Sequence, residues 1–219
     1  MTQGIKVWDL PTRLFHWLIV ILIAFSWWSA EEREMEWHFR SGMLVIMLLA
    51  FRVAWGFLGG STARFARFVR SPAAAFAYWR TGKDAQPHAG HNPLGAYSVL
   101  ALLGLIGLQV ATGTFATDTD GLESGPLSFL VSFDQSRLAA ELHESVFGLL
   151  LAMVVLHLAA ILFYRFVRRR NLVHPMVTGR DKELDASAGE LVPAGPVALI
   201  VSLVFAVGVA TLVWKGFFI

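Results

Sequence analysis

The sequence predicts an all-α integral membrane protein, with a bundle of four transmembrane helices and a fifth, C-terminal transmembrane helix. Hydrophobic residues make up 56% of the 219 residues and charged residues only 16%, whereas a soluble domain carries about 25% charged residues. A chain this short cannot bury so much apolar surface in a core of its own. Five stretches approach the roughly 20 apolar residues that span a bilayer. They lie near 13–30, 38–59, 94–117, 141–166 and 195–214.

The composition excludes several classes of site and partner. The net charge of +2 is too small to indicate a nucleic-acid partner. The chain has no cysteine, which excludes disulfides, iron–sulfur ligation, thiolate zinc sites and covalent cofactor attachment through a C-x-x-C-H motif. The first apolar run is followed by EER at 31–33 instead of a small-residue cleavage site, so we expect it to be retained as the first span.

Charges in the connections predict the orientation. The connections after the first and third spans are mostly acidic, whereas those after the second and fourth are rich in arginine, as in RFVRRR at 165–170. Basic residues gather on the cytoplasmic side of a membrane. We therefore expect a cytoplasmic N-terminus and, after five spans, a C-terminus on the opposite side. Residues 64–70, which alternate arginines with apolar residues, form either an amphipathic interfacial helix or a plain basic loop.

Four of the seven histidines fall within or at the ends of predicted spans: His16, His38, His143 and His157. His143 and His157 are fourteen residues apart, so they share one helix face and lie about 21 Å apart along the axis. In a hydrocarbon core about 30 Å thick, one lies near each surface. The predicted orientation then pairs His16 with His157 near the inner face and His38 with His143 near the outer face. A single histidine at a helix end is more often just an interfacial residue.

Two imidazoles per site indicate haem rather than a bare metal ion. Structural zinc takes four protein ligands, and neither predicted site has nearby cysteine or converging carboxylates. Two axial imidazoles complete the coordination of a haem iron, leaving no open position, which favours electron transfer over oxygen binding. We therefore expect two non-covalent haem b groups. The expected domain organisation is 1–170 for the dihaem four-helix unit, 171–192 for a cytoplasmic loop in which GRDKELDASAGE at 179–190 is solvated, and 193–219 for the additional helix.

Three arginines are candidate partners of the haem propionates. Arg52 should lie near the depth of the inner haem, where a bidentate carboxylate contact would offset the cost of an arginine in the membrane. Snorkelling to lipid phosphate is the alternative. Arg40 could bind the outer haem, with Glu36 as a competing partner. Arg13 could bind the inner haem or act only as a topology charge.

Glycines and loop histidines leave further alternatives open. Glycines in or near the spans either give clearance to a haem or allow close helix packing; they are Gly42, Gly104, Gly107, Gly113 and Gly148. Asn92 and Pro93 could mark the entry of the third span. Just before them, His88 and His91 either contribute a titratable group to a quinone site or are solvated loop residues.

Several segments resemble the bacterial cytochrome b561 family, which includes the b-type cytochrome subunit of nickel–iron hydrogenases. They are TRLFHW around His16, FRVAWGFLG at 51–59, GHNPLGA at 90–96 and a helix with two histidines fourteen residues apart. The resemblance covers about residues 5–170. It implies a four-helix dihaem core in the bacterial inner membrane, with His16, His38, His143 and His157 as ligands, and exchange of electrons with quinone. The fifth span is not needed for that core.

The leading hypothesis is electron transfer through two b-type haems between a periplasmic redox partner and the membrane quinone pool. The partner could be a c-type cytochrome or a hydrogenase-like enzyme. One alternative is a stand-alone superoxide:quinone oxidoreductase, and another is a non-redox transporter or scaffold with structural histidines. The C-terminus would then be periplasmic, lipid would surround the spans, and the glycine-bearing fifth span could pack between copies in an oligomer.

Overall fold

The computed structural model describes residues 4–82, 89–184 and 189–216. Within them the regular secondary structure is almost entirely helical, which confirms the all-α prediction. In chain order the elements are β1 (Ile5–Lys6), α1 (Leu10–Glu31), α2 (Met35–Leu58), α3 (Phe65–Phe68), α4 (Pro72–Thr81), α5 (Pro93–Phe115), a 3₁₀ turn (Ser128–Leu130), α6 (Phe133–Phe166), α7 (Val173–Thr178), β2 (Arg180–Asp181) and α8 (Pro196–Lys215).

Five of the described helices are long and apolar enough to cross a membrane: α1, α2, α5, α6 and α8. Large apolar side chains along them stay exposed, among them Leu149, Leu156 and Val204 at 60–67%. Such surface is stable in hydrocarbon and unstable in water. The protein is therefore a multi-pass membrane protein.

Side-chain caps define where the spans begin. The Asp9 carboxylate accepts a hydrogen bond from the Thr12 backbone N–H at 2.8 Å, which caps α1. The Asn92 side chain accepts from Gly95 N–H at 2.8 Å, and Pro93 is the first residue of α5. The entry that the sequence predicts for the third span is thus where the helix begins.

The fourth span begins earlier than the sequence analysis expects. α6 starts at Phe133 rather than near 141. Ser132 and Gln135 form a reciprocal capping box, in which Gln135 N–H donates to Ser132 Oγ at 3.3 Å and Ser132 N–H donates to Gln135 Oε1 at 3.0 Å. The expected start was wrong because the first turns of α6 are polar and fall outside the apolar stretch.

The connection between α2 and α5 contains two short helices. The amphipathic helix considered at 64–70 is reduced to the single turn α3, in which Phe68 is buried. α4 was not predicted, although its signals are present in the sequence. Ser71 caps it by accepting from Ala74 N–H at 3.3 Å, Pro72 is its first residue, and Gly82 ends it with a φ of 65°.

The segment before α8 is more ordered than a solvated loop. It contains α7 and β2, and β2 pairs antiparallel with β1, with Ile5 opposite Asp181. The Gly179 carbonyl also accepts the backbone N–H groups of Val7 and Trp8, at 2.8 and 3.2 Å. In the stretch 179–190, which the sequence predicts to be solvated, Gly179 and Asp181 are buried whereas Lys182 and Glu183 are exposed, and 185–188 lie outside the described residues.

The chain divides into two compact units. Unit one comprises Met1–Phe15, Arg52–Ala101 and Val154–Ser202, and it contains the arginine-rich connections after α2 and α6. Unit two comprises His16–Phe51, Leu102–Met153 and Leu203–Ile219, and it contains the acidic connections after α1 and α5.

Candidate functional site

Two of the predicted ligands face each other within unit two. His38 lies in the first turn of α2 and His143 lies on α6. Their ring centroids are 6.1 Å apart and the rings are nearly perpendicular, at 88°. Imidazole nitrogens bind transition metals at about 2.0–2.1 Å, so two imidazoles on opposite sides of one metal ion have ring centres about 6 Å apart. The spacing of this pair would therefore allow both imidazoles to hold one metal centre.

A backbone carbonyl orients each of these two rings. His38 Nδ1 lies 2.9 Å from the carbonyl oxygen of Ser26, and His143 Nδ1 lies 2.8 Å from that of Gln109. Because a carbonyl oxygen only accepts, Nδ1 donates in both rings and the Nε2 lone pair is the one available for a ligand. Metal-binding histidines are commonly oriented in this way. Sequence reasoning missed both partners, since a backbone carbonyl has no sequence signature.

The side chain of Gln109 also reaches the His143 ring. Its Nε2 lies 3.1 Å from His143 Nε2, and its Oε1 is buried without a hydrogen-bond partner among the described residues. An amide N–H that donates to Nε2 uses the same lone pair that a metal would use. Ligation by His143 therefore requires this side chain to turn away. Gln109 is the one carboxamide in α5, and that isolated polar residue was a signal available in the sequence.

An apolar cavity of about 410 Å³ surrounds the pair. This volume is typical of small-molecule and cofactor sites. The apolar part of its wall includes Ile23, Met43, Val45, Ile106, Phe147 and Leu150. Within the part of the chain that the structure describes, no cluster of three or more His, Cys, Asp or Glu side chains could hold a metal ion. The cavity thus combines two imidazoles with apolar walls, and both features suit a haem, whose porphyrin supplies the other four nitrogens.

The glycines near this cavity have different roles. Gly42 lines the cavity, and a Cβ there would meet no atom within 4 Å, so this position provides clearance. Gly113 instead lies against His143, because a Cβ there would be 2.7 Å from Cε1 and 2.9 Å from Nδ1 of the ring. Gly104 and Gly148 have open space at the Cβ position, which does not support close helix packing there.

Carboxylates line part of the same cavity, and its described lining contains no lysine or arginine. The carboxylates belong to Glu31, Asp118, Glu123 and Glu144. Arg40 is not part of the wall: its guanidinium pairs with Glu36 and lies over the Trp37 ring at 5.2 Å. The competing partner considered for Arg40 is therefore the one that it contacts, and the structure does not bring Arg40 to the cavity wall.

Arg52 is buried in unit one, with only 3% of its surface exposed. Its guanidinium lies 5.1 Å from the Phe65 ring centroid and 6.0 Å from that of Phe15, and it donates a long hydrogen bond of 3.4 Å to the Ala63 carbonyl. The snorkelling alternative is wrong, because the side chain points into the protein. The Asp9 carboxylate interacts with it electrostatically. A planar cation with five N–H donors retains capacity for a further anionic partner.

Arg13 has a structural contact that the sequence analysis did not consider. Its Nη1 donates to the Val177 carbonyl at 2.5 Å, which ties the start of α1 to α7 within unit one. Neither of the roles considered for Arg13, haem partner or topology charge, accounts for this bond.

His91 is packed between aromatic rings in unit one. Its ring centroid is 4.6 Å from that of Trp8 and 4.8 Å from that of Phe68, so the solvated-loop interpretation is wrong for it. His88 lies outside the described residues. Close by in sequence, Asn92 Nδ2 donates to Tyr164 Oη at 2.9 Å. Tyr164 Oη is also 2.7 Å from that of Tyr78, and burial, followed by this hydrogen bond, raises the pKa of Tyr78.

The inner pair stays a prediction. His16 belongs to unit two, where its ring meets the Trp17 ring edge-on at a centroid distance of 4.9 Å. His157 belongs to unit one and is half-buried on α6.

Apolar spans and two facing imidazoles in an apolar cavity define a multi-pass membrane protein with a candidate cofactor site. The model of the prokaryotic cytochrome b561 family matches residues 7–179, and the chain belongs to that family. This confirms the resemblance seen in the sequence. Comparisons with curated proteins and with solved structures gave no match. Family members are b-type cytochromes of transmembrane electron transfer. The match ends at residue 179, before α8.

Proposed function

We propose that this cytochrome carries two b-type haems and transfers electrons between a periplasmic redox protein and the quinone pool of a bacterial inner membrane. His38 and His143 would ligate the outer haem, and His16 and His157 the inner haem. The N-terminus would be cytoplasmic and the C-terminus periplasmic. One observation carries the proposal: two imidazoles that face each other across an apolar cavity at 6.1 Å.

The residues of the outer site would hold the haem and keep it dry. The carbonyls of Ser26 and Gln109 accept from Nδ1 of the two imidazoles, so the rings would lose little rotational freedom on binding. On His143, the Gln109 side chain would first have to turn away from Nε2. The apolar wall excludes water, and Gly42 leaves room for the edge of the macrocycle. A bound haem supplies a one-electron iron centre, and two protein ligands suit it to electron transfer.

For the inner haem, Arg52 is the proposed propionate partner. Its guanidinium is buried against two aromatic rings, donates one long hydrogen bond and interacts electrostatically with the Asp9 carboxylate, with no direct ion pair to it among the described contacts. A carboxylate would provide the charge-assisted hydrogen bonds that a buried arginine requires. Arg13 is a second candidate partner: its Nη1 donates to the Val177 carbonyl, while its Nε is buried without a hydrogen-bond partner among the described residues.

The outer cavity favours a basic periplasmic partner. Its lining includes four carboxylates, and the described lining residues include no lysine or arginine. Opposite charges increase the rate of encounter between redox proteins and help to orient them. A c-type cytochrome with lysines around its haem edge has the required chemistry.

The haem-to-protein ratio tests the proposal. We expect a pyridine haemochrome assay of the purified chain to give two haem b per polypeptide. His38→Ala, His143→Ala, His16→Ala and His157→Ala should each reduce the ratio to one. His174→Ala is the matched control and should keep both haems, because His174 lies on α7 outside the predicted spans. If the wild type bound one haem per polypeptide and His38→Ala also bound one, the outer site would be refuted.

A further inference from the structure

Helix α4 carries an exposed aromatic pair that the proposed electron transfer does not use. Phe76 and Trp79 lie one turn apart with their ring centroids 5.7 Å from each other, and they are 57% and 68% exposed. Contiguous apolar side chains that stay exposed commonly mark an interaction surface. We propose that this pair inserts into the headgroup region of the lipid bilayer, so that α4 lies along the membrane surface as an anchor.

The exposed surface of α4 has two different flanks. Ala75, which is buried, and Tyr78 form the side that faces the rest of the protein. Phe76 and Trp79 share one flank of the exposed surface, and the exposed Ala77 lies about 160° around the helix from Trp79. Large apolar side chains therefore occupy one flank only, which is the pattern of a helix that lies in a membrane interface.

Contacts with the ends of two spans fix the depth of α4. Tyr78 Oη lies 2.7 Å from Tyr164 Oη, and Tyr164 is two residues before the end of α6. Asn92, which caps the start of α5, donates through Nδ2 to the same Tyr164 oxygen at 2.9 Å. Arg168, just beyond α6, lies against Gly82 at the end of α4. Because spans end near the membrane–water boundary, these contacts hold α4 at that level.

The lipid-facing surface of the spans reaches the same level, which favours lipid over protein as the occupant. Phe163, the residue before Tyr164 on α6, and Leu94, in the first turn of α5, are both exposed. A helix fixed to these two span ends therefore lies beside lipid. Trp side chains are enriched at this level of membrane proteins, because the ring is apolar while its N–H can meet water or headgroups. Trp79 is uncharged, so insertion does not require an anionic lipid.

Because the chain has no cysteine, a single introduced thiol can report the depth of one chosen position. The full chain is reconstituted in phosphatidylcholine vesicles, and nitroxide labels on Phe76→Cys and Trp79→Cys are measured by electron paramagnetic resonance, with oxygen and a water-soluble nickel complex as relaxing agents. We expect both labels to lie about 5–10 Å into the headgroup–acyl boundary. Ala77→Cys is the matched control: it is exposed on the other flank, so its label should be more accessible to the nickel complex.

Quenching of tryptophan fluorescence by brominated lipids is a second measurement that needs no label. Trp79→Phe should lower the quenched fraction, whereas Trp8→Phe, which removes a buried indole, should raise it. Circular dichroism verifies that each variant is folded, and the comparison between variants does not require bound haem. Equal depths for the labels at 76, 77 and 79, or the same change in quenching for both tryptophan variants, would overturn the anchor. Labels at 76 and 79 that neither relaxing agent reaches would show that protein, such as a second copy of the chain, covers the pair, and would overturn the lipid.

Discussion

At the scale of single residues, the outer site depends on which nitrogen of each imidazole remains available. Both Nδ1 atoms donate to backbone carbonyls, at 2.9 Å for His38 and 2.8 Å for His143. Such a hydrogen bond makes the opposite nitrogen a stronger donor to a metal. The two rings are therefore oriented by α1 and α5, which carry these carbonyls, as much as by their own helices.

Gly113→Ala tests how tightly the His143 ring is held. The added Cβ would lie 2.7 Å from Cε1 of the ring, so the imidazole must shift. We expect the variant to lose the outer haem or to bind it with an altered reduction potential, measured by haem content and redox titration. Gly104→Ala on the same helix is the control, because a Cβ there meets nothing within 4 Å. An unchanged outer haem in Gly113→Ala would show that the ring can move without cost.

At the scale of elements, the N-terminal segment and the α7–β2 segment stabilise each other within unit one. Their contacts are the β1–β2 pairing, the hydrogen bonds to the Gly179 carbonyl and the bond from Arg13 to the Val177 carbonyl. Gly179 is central because its φ of 82° ends α7 and turns the chain toward Trp8. Side-chain-bearing residues rarely adopt this conformation.

Gly179→Ala should destabilise this assembly. The substitution combines left-handed strain with a Cβ only 2.9 Å from the Trp8 carbonyl oxygen. The strain alone costs about 1–3 kcal/mol, and we expect a lower midpoint of thermal unfolding in detergent. Gly189→Ala isolates the strain, since Gly189 has a φ of 73° but open space around its Cβ. If Gly179→Ala lost no more stability than Gly189→Ala, the contact with Trp8 would be unimportant.

The same elements show what the sequence could predict. Hydropathy located all five spans, because a helix that crosses the lipid must itself consist mostly of apolar residues. Hydropathy missed the first turns of α6. The sequence signal for that helix start was the Ser132–Gln135 capping box. The β1–β2 pairing had no signal, since two-residue strands are too short for an alternating pattern. Spacing and depth likewise predicted that His38 and His143 meet, but not which carbonyls orient them.

At the scale of the whole molecule, basic and acidic residues lie in different connections between the helices. The arginine-rich connections belong to unit one, and the carboxylates of the outer cavity belong to unit two. Helix α8 lies outside the family match, yet Gly216 at its end lies against the Pro126 carbonyl, in the connection that also lines the cavity. The residue that follows α8 is thus in close contact with a connection that lines the cavity.

Electron flow across a membrane is the property that depends on every part of the chain. A hydrocarbon core about 30 Å thick is too wide for one electron-transfer step, since the rate falls exponentially with distance. In vesicles with an enclosed acceptor and an external, impermeant reductant, we expect the wild type to transfer electrons. His38→Ala and His157→Ala should each reduce the rate to that of protein-free vesicles, while His174→Ala retains it. A wild-type rate in His157→Ala would show that electrons do not pass through an inner haem bound by this residue.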